Sequence, residues 1–376
     1  MKAVKNLKIK SEKISTLEIK DGALSDNQIK SLKLNTYFNP AISLEHISPA
    51  SLDLVTQEER YRISRMTLPK KGERVRDIFA RMDATKIKQS SREYVLERGV
   101  KHIVYIGKIT KPLPSGVRAH VSPKSSTGRV DVHVKLLADG VAFYDTLPEG
   151  FIGDLWMLVI AQSFPVILPS GESLSQIRFV KGEASTDEDT FHNLIKNGLV
   201  KDRKFKKIKY GNLEINSLRK SFIMTLDLDI KNPGFVCRGT DKILDLSKRF
   251  YYDTTDFFEP VNVKSGGLIL EPHAFYILST KEVLDIPGNI AGEMEVSNYK
   301  LGEFRAHYAG FFDPGFKGFG TLEVRSSEIL FVYDGYPITE MVFETLSGET
   351  DVLYGDKKNV NYQGQVGPTL AKYFKK

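Results

Sequence analysis

The chain carries one ordered set of short motifs twice, and this repeat limits what it can fold into more than any other feature. Val95-Leu96-Glu97 answers Ile269-Leu270-Glu271, and Leu113-Pro114-x-x-Val117-x-Ala119 answers Ile286-Pro287-x-x-Ile290-x-Gly292. Pro148-Glu149-Gly150-Phe151-Ile152-Gly153 answers Pro314-Gly315-Phe316-Lys317-Gly318. Ser170-Gly171-Glu172-x-Leu174-x-Gln176-x-Arg178-Phe179 answers Asp334-Gly335-Tyr336-x-Ile338-x-Glu340-x-Val342-Phe343. Repeated glycines and prolines alone require only repeated turns. Four blocks in one order at a nearly constant offset point to two copies of one domain. The length of 376 residues also asks for two cores rather than one. The division read from the sequence is a basic extension over 1–21, a first domain over 22–184, a linker over 185–204 and a second domain over 205–376.

Each copy reads as strand. His102–Ile106, Phe222–Leu228 and Ala274–Leu278 are short, β-branched or aromatic, and bounded by Gly and Pro turns, a spacing that suggests a sandwich or barrel. Helical signals are few: Ser25-Asp26-Asn27-Gln28 opens one with capping residues, and Thr186 to Lys196 reads as a polar connecting helix.

Composition narrows the function classes. Hydrophobic residues at 41% and charged ones at 27% suit a soluble globular chain with a core in each half. No apolar run reaches the roughly 20 residues of a membrane span, and the basic start lacks a signal peptide's apolar stretch, so a cytoplasmic protein is expected. The single cysteine, Cys237, rules out an internal disulfide and the thiolate pair that zinc-dependent nucleobase deaminases use. The seven histidines show no HxH or HxxxH spacing, so no metal site is expected. The formal charge of +7 suits an anionic partner, but the lysines cluster with few interleaved aromatics, which reads as a solvated basic face rather than a nucleic-acid surface.

Three stretches carry candidate chemistry. Ser122-Pro123-Lys124-Ser125-Ser126-Thr127-Gly128-Arg129 is dense in groups that bind phosphate oxygens, and is equally a polar surface turn with a helix cap. In Ala309-Gly310-Phe311-Phe312-Asp313-Pro314-Gly315-Phe316 through Val324, Glu323 stands between Leu322 and Val324; it points outward by strand alternation or is held in a pocket. Tyr354 and Tyr362-Gln363-Gly364-Gln365-Val366-Gly367-Pro368-Thr369 form a Gly-rich tail suited to closing over a ligand or to being a loose end.

The tail, the Ala-Gly-Phe-x-Asp-Pro-Gly-Phe…Leu-Glu stretch, the Ser-Ser-x-x-Arg stretch and Pro49-Ala50-Ser51-Leu52-Asp53-Leu54 together resemble the dCTP deaminase branch of the dUTPase-like superfamily, in particular its long tandem-domain form from alphaproteobacteria. The resemblance covers nearly all of residues 22 to 376. It implies two tandem β-clip domains, mainly β distorted jelly rolls with a few short helices, and zinc-independent deamination of dCTP to dUTP and ammonia at sites where domains meet. Ser125 and Arg129 fall on the family's catalytic Ser and Arg, and Glu323 on its catalytic carboxylate. Lys124 and Ser126 fall on phosphate contacts, Ala309 beside the base, and Tyr354, Tyr362 and Gln365 on nucleotide-contacting positions. Mg²⁺ is expected with the triphosphate, dTTP as an inhibitor, and a homo-oligomer as the assembly.

Departures from the family pattern are informative. The position answering Glu323 in the first half is Leu158, those answering Ser125 and Arg129 in the second are Asn298 and Gly302, and the family's lysine before the tail tyrosine is Asn361. Each half lacks what the other keeps, which predicts one composite site combining the first domain with a second domain, from the same chain or a neighbour. Glu323 would shuttle the proton. Burial against Leu322 favours the protonated carboxyl, and Arg129 opposes it. Two other functions are compatible with the same residues: dUTP pyrophosphatase activity, alone or after deamination, and non-catalytic nucleotide binding.

Overall fold

The computed structural model describes residues 19–90, 94–295, 305–306, 309–356 and 360–375. Most of the basic extension, together with Asn298 and Gly302, lies outside the described residues. The chain is mainly β with a few short helices.

One scheme of antiparallel pairings is made twice. In the first half, Ser173–Lys181 lies between Val117–Pro123 and Ser51–Val55, and the sheet ends in Thr146–Leu147 on one side and Ile47–Ser48 on the other. In the second half, Pro337–Thr345 lies between Ile290–Glu295 and Ser221–Thr225, with Phe311–Phe312 and Ile215–Asn216 at the edges. The second sheet of each half repeats as closely. Gly153–Ala161 pairs with Lys101–Ile109 and Val132–Ala138, as Lys317–Arg325 pairs with Phe275–Asp285 and Arg305–Ala306. Side chains alternate across each strand, so the sheets of a half bury one face of each strand against the other sheet.

Both expected helices form, the first with its expected capping residue and the second over Glu188–Asn197 rather than 186–196. Asp26–Ser31 is capped by Ser25, whose hydroxyl accepts from the Gln28 N–H, and Glu188–Asn197 is capped by Asp187. Phe191 and Ile195 of the second helix are buried, so it is more than a polar connector. His102–Ile106 lies within Lys101–Ile109, and all but the first residue of Ala274–Leu278 lies within Phe275–Asp285. Phe222–Leu228 is too long as an expectation: the strand runs Ser221–Thr225. There the Thr225 N–H and hydroxyl both donate to the Glu282 carboxylate instead of extending the ladder.

The halves part company after the strands Arg60–Ile63 and Phe235–Cys237. In the first half the chain folds back over its own sheet, and Val75, Ile78 and Met82 close over Ile103, Trp156, Leu158 and Ile160 in one apolar cluster. In the second half the chain crosses to the first. Leu244–Asp245 adds a parallel strand to Val166–Ile167, and Leu244, Leu246, Phe257 and Phe258 join the first half's core. The chain end does the same through Ala371, Tyr373 and Phe374.

Candidate active site

The Lys124–Arg129 stretch is pinned inward. Its single helical turn, Ser125–Gly128, is tied to the neighbouring strand, where the Leu174 carbonyl accepts from Lys124 N–H at 3.0 Å and from the Thr127 hydroxyl at 2.9 Å. Ser126, Thr127, Gly128 and Arg129 are consequently buried, which answers the surface-turn alternative.

Glu323 comes from the other half. Its strand, Lys317–Arg325, is covered on both faces from Gly318 to Val324, and Glu323 is 1% exposed. The carboxylate accepts the Ala309 N–H at 3.0 Å through Oε2. It also lies directly on Gly128, where a Cβ would come within 2.5 Å of its Cδ. A side chain there would overlap the carboxylate, so this backbone position requires glycine on steric grounds, independently of φ.

The tail closes over the junction. Gly364 N–H donates to the Lys317 carbonyl at 2.8 Å, and the Gln363 side chain bonds to Lys317 N–H and the Gly315 carbonyl. Gln365 donates to the Phe319 carbonyl and accepts from Arg129 Nη2 at 3.0 Å. Arg129 Nη1 donates to the Thr369 carbonyl at 2.9 Å, and its guanidinium stacks 3.8 Å from the centre of the Tyr362 ring. The Tyr362 hydroxyl in turn bonds to that of Ser126 at 2.6 Å. First-half side chains are thus held by second-half tail residues of one chain.

Between them lies a cavity of about 410 Å³, within the range of nucleotide-sized pockets. Lys124, Ser125, Ser126, Arg129, Ala309, Tyr354, Tyr362 and Gln365 all line it, and Glu323 stands immediately behind Ala309 and Gly128. Several lining residues carried no motif signal: His46, Arg249 and Lys372, with Asp53, Asp313 and Thr321 unassigned inside their motifs. Thr321 was within reach of strand periodicity, two residues before Glu323 and so on its face. Its hydroxyl and the Nε of Arg129 are buried with no hydrogen-bond partner among the described residues, and unsatisfied polar groups at a cavity are available to a ligand.

The electrostatics suit an anion with a polar reaction centre. Burial pushes the Arg129 guanidinium below its ordinary value, and the Tyr362, Glu323 and Tyr354 oxygens push it back. Burial raises the Tyr354 phenol, with Asp313 adding to the rise, so this hydroxyl stays a donor. Lys124 is paired with Asp53. Among the described residues no group of three or more His, Cys, Asp or Glu is placed to hold a metal ion, and no helix is long and apolar enough to cross a membrane. Cys237 is buried and unpaired by disulfide.

The equivalent position in the first half is closed. Leu158 stands five residues after Gly153, as Glu323 stands five after Gly318, and it pairs with Ile103 as Glu323 pairs with Ile277. Trp156, the counterpart of Thr321, is fully buried against Phe79, Tyr61 and Tyr105.

Comparison with known proteins places these features in a family. Residues 20–183 match the family described as the 2′-deoxycytidine 5′-triphosphate deaminase N-terminal domain, and residues 196–374 match the corresponding C-terminal domain. The crystal structure of 2′-deoxycytidine 5′-triphosphate deaminase from Agrobacterium tumefaciens superposes with a TM-score of 0.79 at 30% identity, over 89% of this chain and 98% of that one. A protein of Corynebacterium glutamicum named dCTP deaminase, dUMP-forming, is 29% identical over 184 residues, which is 47% of this chain and 96% of that protein. A protein of the same name from Streptomyces avermitilis is 35% identical over 127 residues, 32% of this chain and 65% of that protein.

Proposed function

The chain belongs to the 2′-deoxycytidine 5′-triphosphate deaminase family, and from that premise we propose that its one composite cavity hydrolyses the 4-amino group of dCTP, with Glu323 as the proton shuttle and Ser125 and Arg129 as its partners. The observation that carries this is the meeting of a buried second-half carboxylate with the first-half Ser/Arg turn at Gly128, beside a nucleotide-sized cavity.

In this mechanism the base lies against Ala309 and water stands between C4 and Glu323. Glu323 takes a proton from the water as the O–C4 bond forms and passes it to N3. It then takes the remaining proton of the new C4 hydroxyl and delivers it to the amine as the C4–N4 bond breaks and the C4 carbonyl forms, so that dCTP plus water becomes dUTP plus ammonia. Proton transfer of this kind is worth about 10²–10⁴-fold. Ser125 and Ser126 hold water and phosphate oxygens, and Arg129 supplies positive charge where it is already fixed by Gln365, Thr369 and Tyr362. Lys124 and the tail residues Tyr354, Tyr362 and Gln365 enclose the nucleotide. Mg²⁺ would enter with the triphosphate; Asp53, a carboxylate of the cavity wall, is engaged by Lys124. The paired sheets are assigned to the β-clip, dUTPase-like class, and the protein to the cytoplasm.

A second reading concerns the product. The Corynebacterium glutamicum and Streptomyces avermitilis proteins are named dUMP-forming, which favours a further step in which water attacks the triphosphate of bound dUTP and releases diphosphate with dUMP. Mass-spectrometric product analysis with dCTP and Mg²⁺ separates the outcomes. Ammonia with dUTP means deamination alone, ammonia with dUMP and diphosphate means both steps, and neither product from a folded protein overturns the proposal. Glu323→Gln is expected to lower kcat by about 10²–10⁴-fold with dCTP binding retained by calorimetry.

A further inference from the structure

The cavity's cations are not equivalent. Lys124 is paired with Asp53, Arg129 is committed to Gln365, Thr369 and the Tyr362 ring, and Lys372 lies 3.3 Å from Glu172. Arg249 lines the same cavity, is exposed, and makes no ion pair among the described residues. Asn361, on the same wall, brings no charge.

Arg249 is nevertheless not on a loose loop. It ends the segment that crosses from the second half to the first, anchored by Thr240 N–H on the Ser163 carbonyl and Leu246 N–H on that of Ile167. The next residues lie along the chain end: Phe250 N–H donates to the Lys372 carbonyl at 2.9 Å, Tyr251 N–H to that of Tyr373 at 2.9 Å, and Lys375 N–H to that of Tyr252 at 2.9 Å. Phe250 adopts a φ of 50°, a left-handed conformation that a bulky residue keeps only where surrounding bonds impose it. This ladder sets Arg249 beside Lys372. The effect is visible on Lys372, whose ammonium is pushed down by burial and further by the charges of Lys124 and Arg249, against the pull of Glu172. Lys124, Arg249 and Lys372 thus line the same cavity, the first two within electrostatic reach of the third. Like charges held together in the empty site repel, and a polyanion between them relieves that repulsion.

We propose that Arg249, held next to Lys372 by the pairing of 250–252 with 372–375, grips the terminal phosphate of the substrate and makes this enzyme select a nucleoside triphosphate over its shorter forms. The proposal rests on the dCTP reading for the identity of the nucleotide, but the polyphosphate chemistry can be read separately.

The test uses the full chain. Turnover of dCTP, dCDP and dCMP is measured for the wild type, Arg249→Ala and Arg249→Lys, and inorganic tripolyphosphate binding is measured by calorimetry on the same proteins. Loss of one charged hydrogen-bonding group is worth about ten- to a hundredfold. Arg249→Ala is expected to lower kcat/KM for dCTP by that factor, entering through KM, so that the preference for dCTP over dCMP collapses. Tripolyphosphate binding should weaken in parallel, and Arg249→Lys should recover much of both. An unchanged dCTP preference and unchanged tripolyphosphate affinity in folded Arg249→Ala overturn the proposal while leaving the deaminase reading intact. A wild type that deaminates nothing, yet binds tripolyphosphate through Arg249, defeats the deaminase reading and leaves the phosphate site standing. A wild type that does neither defeats both.

Discussion

Glu323 has its place because a neighbour has no side chain. Gly128 presents bare backbone to the carboxylate, and the added methyl of Gly128→Ala would have to displace Glu323 or the Ser125–Arg129 turn. A shift of about 1 Å at a reacting group costs on the order of 10²-fold in rate. We therefore expect Gly128→Ala to lower kcat by about that factor while the fold is kept, as read by steady-state kinetics alongside circular dichroism. A rate within threefold of wild type would show that the carboxylate does not depend on this contact. A second residue ties stability to pH. His102 is buried, and desolvation first, with the Arg62 charge second, holds its imidazole down at about 4. The unfolded chain therefore binds the proton before the folded one does. Stability is intact above about pH 6.5 and declines as pH falls toward 4, by on the order of 3 kcal/mol from this group. Urea unfolding at a series of pH values should show that decline in the wild type and a shallower one in His102→Leu. Equal slopes would exclude His102 as the source.

At the scale of elements, what differs between the halves is where one connection goes. After Arg60–Ile63 it folds over Trp156 and Leu158, and after Phe235–Cys237 it crosses to the other half. A charge introduced at Leu158 would thus enter an apolar cluster rather than a cavity, at about 3–5 kcal/mol when unpaired. Leu158→Glu is expected to lower the unfolding midpoint and leave calorimetric stoichiometry at one nucleotide per chain; two nucleotides per chain would show a latent second site. This asymmetry also marks how far the sequence could be read. Blocks such as Pro148–Gly153 and Pro314–Gly318 reveal the shared strand scheme because turns need glycine and proline wherever they occur. The connections share no motif: one packs on Trp156 and the other on Phe164, so their different paths leave no repeated signal. Glu323 was ambiguous for a related reason. Alternation assigns a side chain to core or solvent only when one face is wet, and its strand is covered on both. Lys372 and Arg249 reach the cavity through the crossing segment and the chain end, a tertiary relation between residues 123 positions apart that no local pattern encodes.

For the molecule as a whole, the halves are bound by more than a linker. Leu244, Leu246, Phe257 and Phe258 complete the first half's core, and Arg178 of the first half, buried against the Phe311 ring at 4.5 Å, pairs with Glu293 and Glu344 of the second. Breaking such a buried pair on one side is costly because the remaining charges are left without a partner. The halves are therefore held in one arrangement, and that arrangement brings Gly128 to Glu323 and Arg129 to Gln365 within a single chain. The proposed site residues are thus brought together within one chain. Complementation tests this directly. Arg129→Ala and Glu323→Gln are each expected to be inactive, and a mixture in which subunits have been exchanged by unfolding and refolding together should stay inactive, because every chain carries one defect in its own site. If the sites instead formed between chains, a mixed assembly would contain some with an intact first half facing an intact second half. Activity recovered to about a quarter of wild type, the share expected from random pairing of the two variants in one shared site, would relocate the site to an interface between chains.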